Sequence, residues 1–139
     1  MLKNYIKLTT AVLVAAAFSN SGPSLAKLSA GQAPGVTRRI LTQQDLPIPG
    51  YVADLVATEI PVGAREGRHT HPGTLVAYVE EGTLTLESEG KAPATYKAGD
   101  TFSVEPGKVH EGINNGNALV KVIVAFVVEK GKPLTSPAQ

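Results

Sequence analysis

The sequence predicts an all-β fold, built as a sandwich or barrel of short strands. Apolar and β-branched residues occur in short runs, several of which alternate with polar residues as in a strand with one buried face. Gly, Pro, Asn and Asp separate these runs at close intervals, as expected for tight connections between strands. After residue 26, no stretch shows the apolar period of an amphipathic helix.

The first predicted strands precede residue 61. Thr37–Thr42 forms a short strand, and the segment Asp45–Gly50 ends it because two prolines and a glycine prevent regular pairing. Tyr51–Ile60 forms a longer strand with mixed alternation, which Pro61 and Gly63 terminate. This part of the chain is therefore predicted to hold two strands with an irregular break between them.

The remaining predicted strands follow residue 74. Leu75–Glu80 and Thr83–Ser88 flank Glu81 and Gly82, and two alternating runs around a glycine predict a β-hairpin. Leu119–Val128 is the longest β-branched run and suits a strand buried on both faces. Three shorter strands are predicted between them: Thr95–Lys97, Thr101–Val104 and His110–Ile113.

The first 26 residues have the pattern of a signal peptide, with cleavage after Ala26. Lys3 and Lys7 give a positive start, Leu8–Phe18 is apolar, and Ser24 and Ala26 place small residues where a signal peptidase reads them. The apolar run is much shorter than the about 20 residues that a membrane-spanning helix needs. We therefore expect an exported protein, periplasmic or secreted, with no stable membrane anchor after cleavage.

Composition divides the rest of the chain into three parts. Residues 27–37, rich in Gly, Ser, Pro and Ala, predict a flexible N-terminal arm; 38–130 hold the barrel, and 131–139 form a C-terminal tail.

Two of the 13 basic residues lie in the signal peptide, so 11 remain against 12 acidic ones. With no basic stripe and few aromatic residues, we expect no nucleic-acid partner. The chain has no cysteine, so the core alone must stabilise it.

The three histidines of the chain are the candidate metal ligands. His69 and His71 are separated by one residue, and on an extended backbone such a pair projects to the same side. Two ligands rarely hold an ion alone, and His110 is the remaining histidine. The alternative is that His69 and His71 are exposed loop residues and that His110 is a satisfied turn residue.

The segment around the first two histidines resembles the first signature motif of the cupin superfamily. In that motif a glycine, a His-x-His pair, a glutamate and a second glycine follow at fixed spacing. Leu75 stands where the family usually has the glutamate. Four residues fall in register with the motif: Gly63, His69, His71 and Gly82.

The segment around His110 resembles the second cupin motif. Glu105 takes the position of the motif's proline, and Pro106 follows it. The resemblance implies a small single-domain exported cupin with a double-stranded β-helix, or jelly-roll barrel, and a metal held by the three histidines. The residues that match the motif are Gly99, Gly107, His110 and Asn114.

Strand alternation predicts which residues line the pocket beside the histidines. Leu75 and Ala77 share the inward parity of His69, and Phe102 and Val104 share a parity with each other. We expect all four to line the pocket, with ordinary core packing as the alternative for Phe102 and Val104. Because leucine cannot coordinate, three neutral imidazoles would leave a divalent ion its full charge and open positions for a small-molecule substrate, favouring an anionic one.

The all-histidine ligand set orders the candidate metals and reactions. Imidazole suits Fe, Cu, Ni and Zn, and we place Fe first. The leading hypothesis is an oxidoreductase of the dioxygenase type, since single-domain cupins that resemble this chain include dioxygenases acting on flavonols, diketones and thiols. The alternatives are a metal or small-ligand binding protein without turnover, and a lyase or isomerase that uses the ion as a Lewis acid. The sequence identifies no catalytic residue besides the ligands.

Other charged residues near the histidines carry weaker predictions. Glu66 is expected to be a solvated loop residue, with a substitute ligand or a nearby base as the alternative. Arg65 and Arg68 flank the predicted entrance and could attract an anionic substrate. Glu111 should point away from His110. An open sheet edge would be covered in a homodimer, which is the assembly we expect.

Overall fold

The computed structural model describes residues 35–139, which form ten β-strands in two five-stranded sheets. The prediction of an all-β jelly-roll barrel is confirmed. No helix within these residues is long and apolar enough to cross a membrane. The predicted signal peptide at 1–26, and the predicted arm at 27–37 apart from its last three residues, lie outside the described part of the chain.

The two sheets are antiparallel and face each other across the core. The first consists of β1 (Thr37–Asp45), β2 (Tyr51–Ile60), β4 (Gly73–Glu81), β7 (Thr101–Val104) and β9 (Val120–Glu129), in the order β1-β2-β9-β4-β7. The second consists of β3 (His69–Thr70), β5 (Thr83–Ser88), β6 (Ala94–Lys97), β8 (His110–Ile113) and β10 (Ser136–Pro137), in the order β10-β3-β8-β5-β6.

Period-two alternation builds the core. In β2 and β4, buried residues alternate with more exposed ones along the strand, so each strand turns one apolar face inward. Val56, Val79 and Val120 are completely buried. Burying each such side chain contributes about 1.5–3 kcal/mol, and in a chain without disulfides this apolar core is the main source of stability.

The predicted β-hairpin at Glu81 and Gly82 is wrong. β4 pairs with β7 and β9 in the first sheet, whereas β5 pairs with β6 and β8 in the second. Gly82 has a φ of 79°, and a Cβ added there would lie 2.5 Å from the carbonyl oxygen of Leu119. A glycine between two alternating runs therefore marks a barrel corner here, because pairing with distant strands separates the two runs.

The prediction that Leu119–Val128 is buried on both faces is also wrong. In β9, buried residues alternate with partly exposed ones, and Val127 is 43% exposed. The inward residues face the second sheet, whereas no second layer of the described chain covers the outer face of the first sheet. Val76 and Tyr78 of β4, at 54% and 47% exposed, lie on that same apolar outer face.

Residues beyond the predicted barrel limits of 38 and 130 also pack into the core. Val36 and Leu134 are 1% and 7% exposed and belong to the same hydrophobic cluster as the strands. In the predicted tail, β10 pairs with β3, so that Pro137 is opposite His69. The last residues of the chain therefore lie beside the histidines.

Candidate metal centre

The three histidines lie together in the second sheet and at its edge. His69 in β3 is the register partner of His110 in β8, and His71 follows two residues after His69. All three are buried, and one ring nitrogen from each can be chosen so that the three lie within 4.8 Å of one another. The alternative of exposed loop histidines therefore does not describe their environment.

Hydrogen bonds fix the orientation of each imidazole. The Nδ1 atoms of His69, His71 and His110 lie 2.6, 2.7 and 2.9 Å from backbone carbonyl oxygens. A carbonyl oxygen only accepts, so each Nδ1 carries a proton, and Nε2 is the ring nitrogen that remains for a metal. The acceptors belong to Gly67, Leu134 and Lys108, respectively. Metal-binding histidines in proteins commonly have their second ring nitrogen engaged by a backbone carbonyl in this way.

Burial also keeps two of the imidazoles neutral. It lowers the pKa of His71 to about 3, with a smaller contribution from the positive charge of Arg38. The pKa of His110 is lowered as well, again chiefly by burial. Because a metal binds the neutral form of histidine, these two ligands need release no proton at neutral pH. Such a set fits Zn, Cu, Fe or Ni, and the ligands alone do not select among them.

The histidines form part of the wall of a small, largely apolar cavity of about 30 Å³. Of the predicted lining residues, Leu75 and Phe102 face this cavity. Ala77 and Val104 are buried in the core but do not line it. Ala77 contributes a single methyl group between its larger register partners, Phe102 and Val124, and Val104 lies at the end of the edge strand β7.

Glu66 is the main correction to the predicted site. Its side chain is 14% exposed, lines the cavity, and forms a 2.5 Å ion pair with Arg38, whose side chain is 7% exposed. The second carboxylate oxygen accepts a hydrogen bond of 3.1 Å from the Gly112 amide. The expected solvated loop residue is therefore a partly buried wall residue, and Arg38 was not predicted to belong to the site at all.

The arginines predicted at the entrance lie outside this cavity. Arg65 donates from Nε and Nη2 to Glu111, at 3.0 and 2.6 Å, and Arg68 lies 3.8 Å from Glu89. Glu111 also accepts from the Gly67 amide, and its hydrogen bond with Arg65 lowers its pKa. Both arginines have acidic partners, and neither lines the cavity. The cation that faces the histidines is Arg38.

A tight turn before His110 is tied to the backbone of His71. The Lys108 amide donates to the Glu105 carbonyl, and Gly107 has a φ of 70° after Pro106, which is the pattern of a type II turn. The Gly107 amide in turn donates to the carbonyl of His71 at 3.0 Å. Moving the proline by one position relative to the cupin motif thus still yields a closed turn.

Comparison with known proteins agrees with this architecture. A family model described as "Cupin domain" matches residues 56–126, the segment that contains all three histidines. Among curated protein sequences, none matches the chain.

Solved structures share the fold at low sequence identity. An uncharacterized conserved protein with a double-stranded β-helix domain from Klebsiella pneumoniae subsp. pneumoniae MGH 78578 is 21% identical, with a TM-score of 0.60 over 80% of this chain and 88% of that one. The polyketide cyclase RemF from Streptomyces resistomycificus is 18% identical, with a TM-score of 0.61 over 77% and 73%. The DMSP lyase DddQ from Ruegeria pomeroyi DSS-3 is 16% identical, with a TM-score of 0.56 over 62% and 43%. These likenesses concern the fold, which hosts many chemistries.

Proposed function

The chain belongs to the cupin family, and from that premise we propose that it is a metal-dependent enzyme acting on a small molecule, an oxidoreductase of the dioxygenase type. The observation that carries the proposal is the cluster of His69, His71 and His110 in the wall of one cavity, with one ring nitrogen of each within 4.8 Å of the others and each Nδ1 bound to a backbone carbonyl. Leu75 in the same wall supplies no ligand, so positions on an ion are left for substrate.

The protein residues provide binding, orientation and exclusion of water. The histidines hold the ion, while Leu75, Phe102 and Phe126 surround it with apolar surface, Phe126 lying edge-on to the His71 ring at 4.8 Å. A redox-active metal bound there would supply electron transfer between substrate and oxygen, whereas a redox-inert one would polarise a substrate oxygen. The small, largely apolar cavity strengthens electrostatic interactions with whatever group enters it.

A second candidate is a redox-neutral lyase or isomerase, in which the ion would act as a Lewis acid. The same histidine cluster favours it, because Leu75 in the cavity wall leaves positions on an ion for a substrate oxygen. RemF and DddQ, named as a cyclase and a lyase, have the same fold but too little identity to assign a reaction. A binding protein without turnover is the outcome if neither activity is found.

Metal content and metal dependence together test the proposal. The protein without an affinity tag should be purified, its metals measured by elemental analysis, and separate preparations loaded with Fe²⁺ without oxygen or with Zn²⁺. We expect oxygen uptake with flavonol, diketone or thiol substrates for the Fe²⁺ form only. His110→Ala should abolish metal retention and activity, whereas Thr95→Ala on the outer surface should preserve both. Full Fe²⁺ occupancy with no oxygen uptake would contradict the dioxygenase assignment, and turnover with Zn²⁺ would support the lyase or isomerase.

Export is part of the same proposal and rests on residues 1–26 alone. Expression of the full chain in a bacterial host should yield a mature form that begins at Lys27 and is released with the periplasmic or secreted fraction. Mass spectrometry of that fraction measures the cleavage site. Retention of the uncleaved chain in the cells would contradict export.

We also propose that the protein is a homodimer formed by the outer face of the first sheet. Four strands of nine or ten residues and the four-residue β7 cover roughly 700 Å² per copy, at about 4.8 Å spacing and about 3.4 Å per residue. This is close to the about 800 Å² per partner of a standard interface. Val76, Tyr78 and Val127 give this face its exposed apolar surface. Sedimentation velocity should show a dimer for the wild type and for Thr95→Glu on the other sheet, and a monomer for Tyr78→Glu. A monomeric wild type would refute the assembly.

A further inference from the structure

Arg38 lies in the cavity wall beside the histidines. It is in β1, opposite Thr58 of β2, and both residues line the cavity together with the three histidines. Its side chain is 7% exposed, so it is a buried cation rather than a surface residue. A buried guanidinium requires a partner whose interactions compensate the free-energy cost of its lost hydration.

Glu66 satisfies only part of that requirement. Within residues 35–139, the side-chain hydrogen bond of Arg38 is the one from Nη2 to Glu66 Oε1. A guanidinium has five N–H donors in a planar fork. No fully buried polar side-chain atom in the described part of the chain lacks a partner, so the other guanidinium nitrogens must be reached by solvent. Arg38 therefore has donors left for a molecule that enters the cavity.

The position of Glu66 holds the guanidinium in this orientation. The Glu66 backbone amide donates to the Gly112 carbonyl at 2.9 Å, and the Gly112 amide donates back to Glu66 Oε2. A Cβ at Gly112 would lie 2.4 Å from that oxygen, so glycine is the residue that leaves room for the carboxylate. Both carboxylate oxygens are thereby occupied, and Glu66 acts as a positioning residue for Arg38.

We propose that Arg38 is the substrate-recognition residue of this site, and that the substrate carries a carboxylate whose oxygens lie between the Arg38 guanidinium and the ion held by the histidines. The planar fork of arginine matches a carboxylate in two parallel hydrogen bonds. Arg38 and Glu66 cancel each other's charge. With the ion bound, the net charge of the cavity is therefore positive, and the cavity attracts an anion. This inference rests on the proposed metal site and adds the substrate class.

The size of the cavity restricts which part of the substrate enters. A volume of about 30 Å³ admits a few heavy atoms at most. The carboxylate end of a substrate fits, and the rest of the molecule must extend towards solvent. Formate is therefore a suitable probe, and formamide, which has nearly the same shape without the charge, is its matched control.

Calorimetric titration of formate into the Zn²⁺-loaded protein tests the inference without requiring turnover. The wild type should bind formate at least tenfold more tightly than formamide. Arg38→Met should bind formate at least about fivefold more weakly than the wild type, although the ion still favours an anion over formamide. Arg38→Lys should lose less, because the charge stays while the fork is lost. Arg39→Met, at the exposed neighbouring position, should bind formate like the wild type. Zinc content must be measured in each sample.

The results separate this inference from the proposed function. If the wild type binds zinc and formate, and Arg38→Met binds formate within twofold of Arg39→Met, Arg38 does not recognise the carboxylate. Equal binding of formate and formamide by the zinc-loaded wild type also overturns the inference. If the wild type binds no zinc, the metal site itself fails. Should Arg38→Met not fold because Glu66 is left unpaired, the double variant Arg38→Met/Glu66→Gln removes both charges and must show the same weakening of formate binding.

Discussion

Acidification should destabilise the metal-free protein through His71. Burial lowers the pKa of this imidazole from 6.5 to about 3 in the folded state. In the unfolded chain His71 binds a proton as the pH falls below about 6.5, whereas the folded chain still excludes it. Its contribution to stability is therefore fully present above the unfolded pKa and is lost progressively as the pH falls from there towards 3.

The size of this loss follows from the shift. Each unit of pKa difference corresponds to about 1.36 kcal/mol. At pH 4.5 the unfolded His71 is about two units below its pKa while the folded one is still neutral, so the free energy of unfolding should be about 2.7 kcal/mol lower than at pH 8 from this residue alone. Such a loss is a large fraction of the 5–15 kcal/mol typical of a small domain.

Urea unfolding in the presence of a chelator, repeated from pH 8 to pH 4.5, measures the effect. His71→Asn is the informative variant because its side-chain amide can still donate to the Leu134 carbonyl but does not titrate. The difference in unfolding free energy between wild type and variant should shrink by about 2.7 kcal/mol over this range. An unchanged difference would show that His71 is not held neutral by burial, and its description as a ligand that is ready to bind a metal would fail with it.

Three further perturbations test the supports of the site. Asn114→Ala removes two hydrogen bonds that a completely buried side chain donates to the carbonyls of Ile60 and Ala118. It should lower the free energy of unfolding by about 2–4 kcal/mol in chemical denaturation. Asn115→Ala, at an exposed position, should lower it by less than about 0.5 kcal/mol, and similar losses for both would refute the role of Asn114. Gly112→Ala should shift the Glu66 carboxylate and lower the free energy of unfolding by about 1–3 kcal/mol, with an unchanged urea midpoint as the contrary result. Truncation before Leu134 removes the acceptor for His71 Nδ1 and should weaken zinc binding about 10–100-fold in a competitive chelator titration. Removal of residues 138–139 alone should leave the zinc affinity unchanged. Equal affinities for both truncations would contradict the role of the Leu134 carbonyl in orienting His71.

The convergence of the histidines could be predicted because it depends on short-range geometry. His69 and His71 share a face through strand parity, and the spacing of the second motif supplied His110. The alternation that placed Leu75 inward is also observed, since buried and exposed residues alternate throughout β4. These predictions needed only the local period of a strand and a resemblance in spacing.

The parts that sequence reasoning missed depend on contacts between distant segments. Glu66 is mostly withdrawn from solvent because Arg38, 28 residues earlier in the chain, forms an ion pair with it. One local signal was present in the sequence: Arg38 shares strand parity with the apolar Ile40, which could have placed Arg38 inward. In the structure, these two are indeed the less exposed residues among the first four of β1. The barrel corner at Gly82 had no comparable signal, because its two flanking runs read as a hairpin.

Leu75 occupies the position where the cupin motif usually has a glutamate ligand. Glu66 does not take over that role, because its carboxylate is already paired. Leu75 is 4% exposed and packs between its register partners Phe126 and Val104, so an apolar residue completes the wall there. Glu66 brings a carboxylate to the same cavity, but Arg38 and the Gly112 amide engage its two oxygens. A carboxylate held in this way is poorly placed to neutralise an ion as a fourth ligand. The charge of a bound ion would then be left for an incoming anion, and the Arg38–Glu66 pair supplies a guanidinium that can bind that anion.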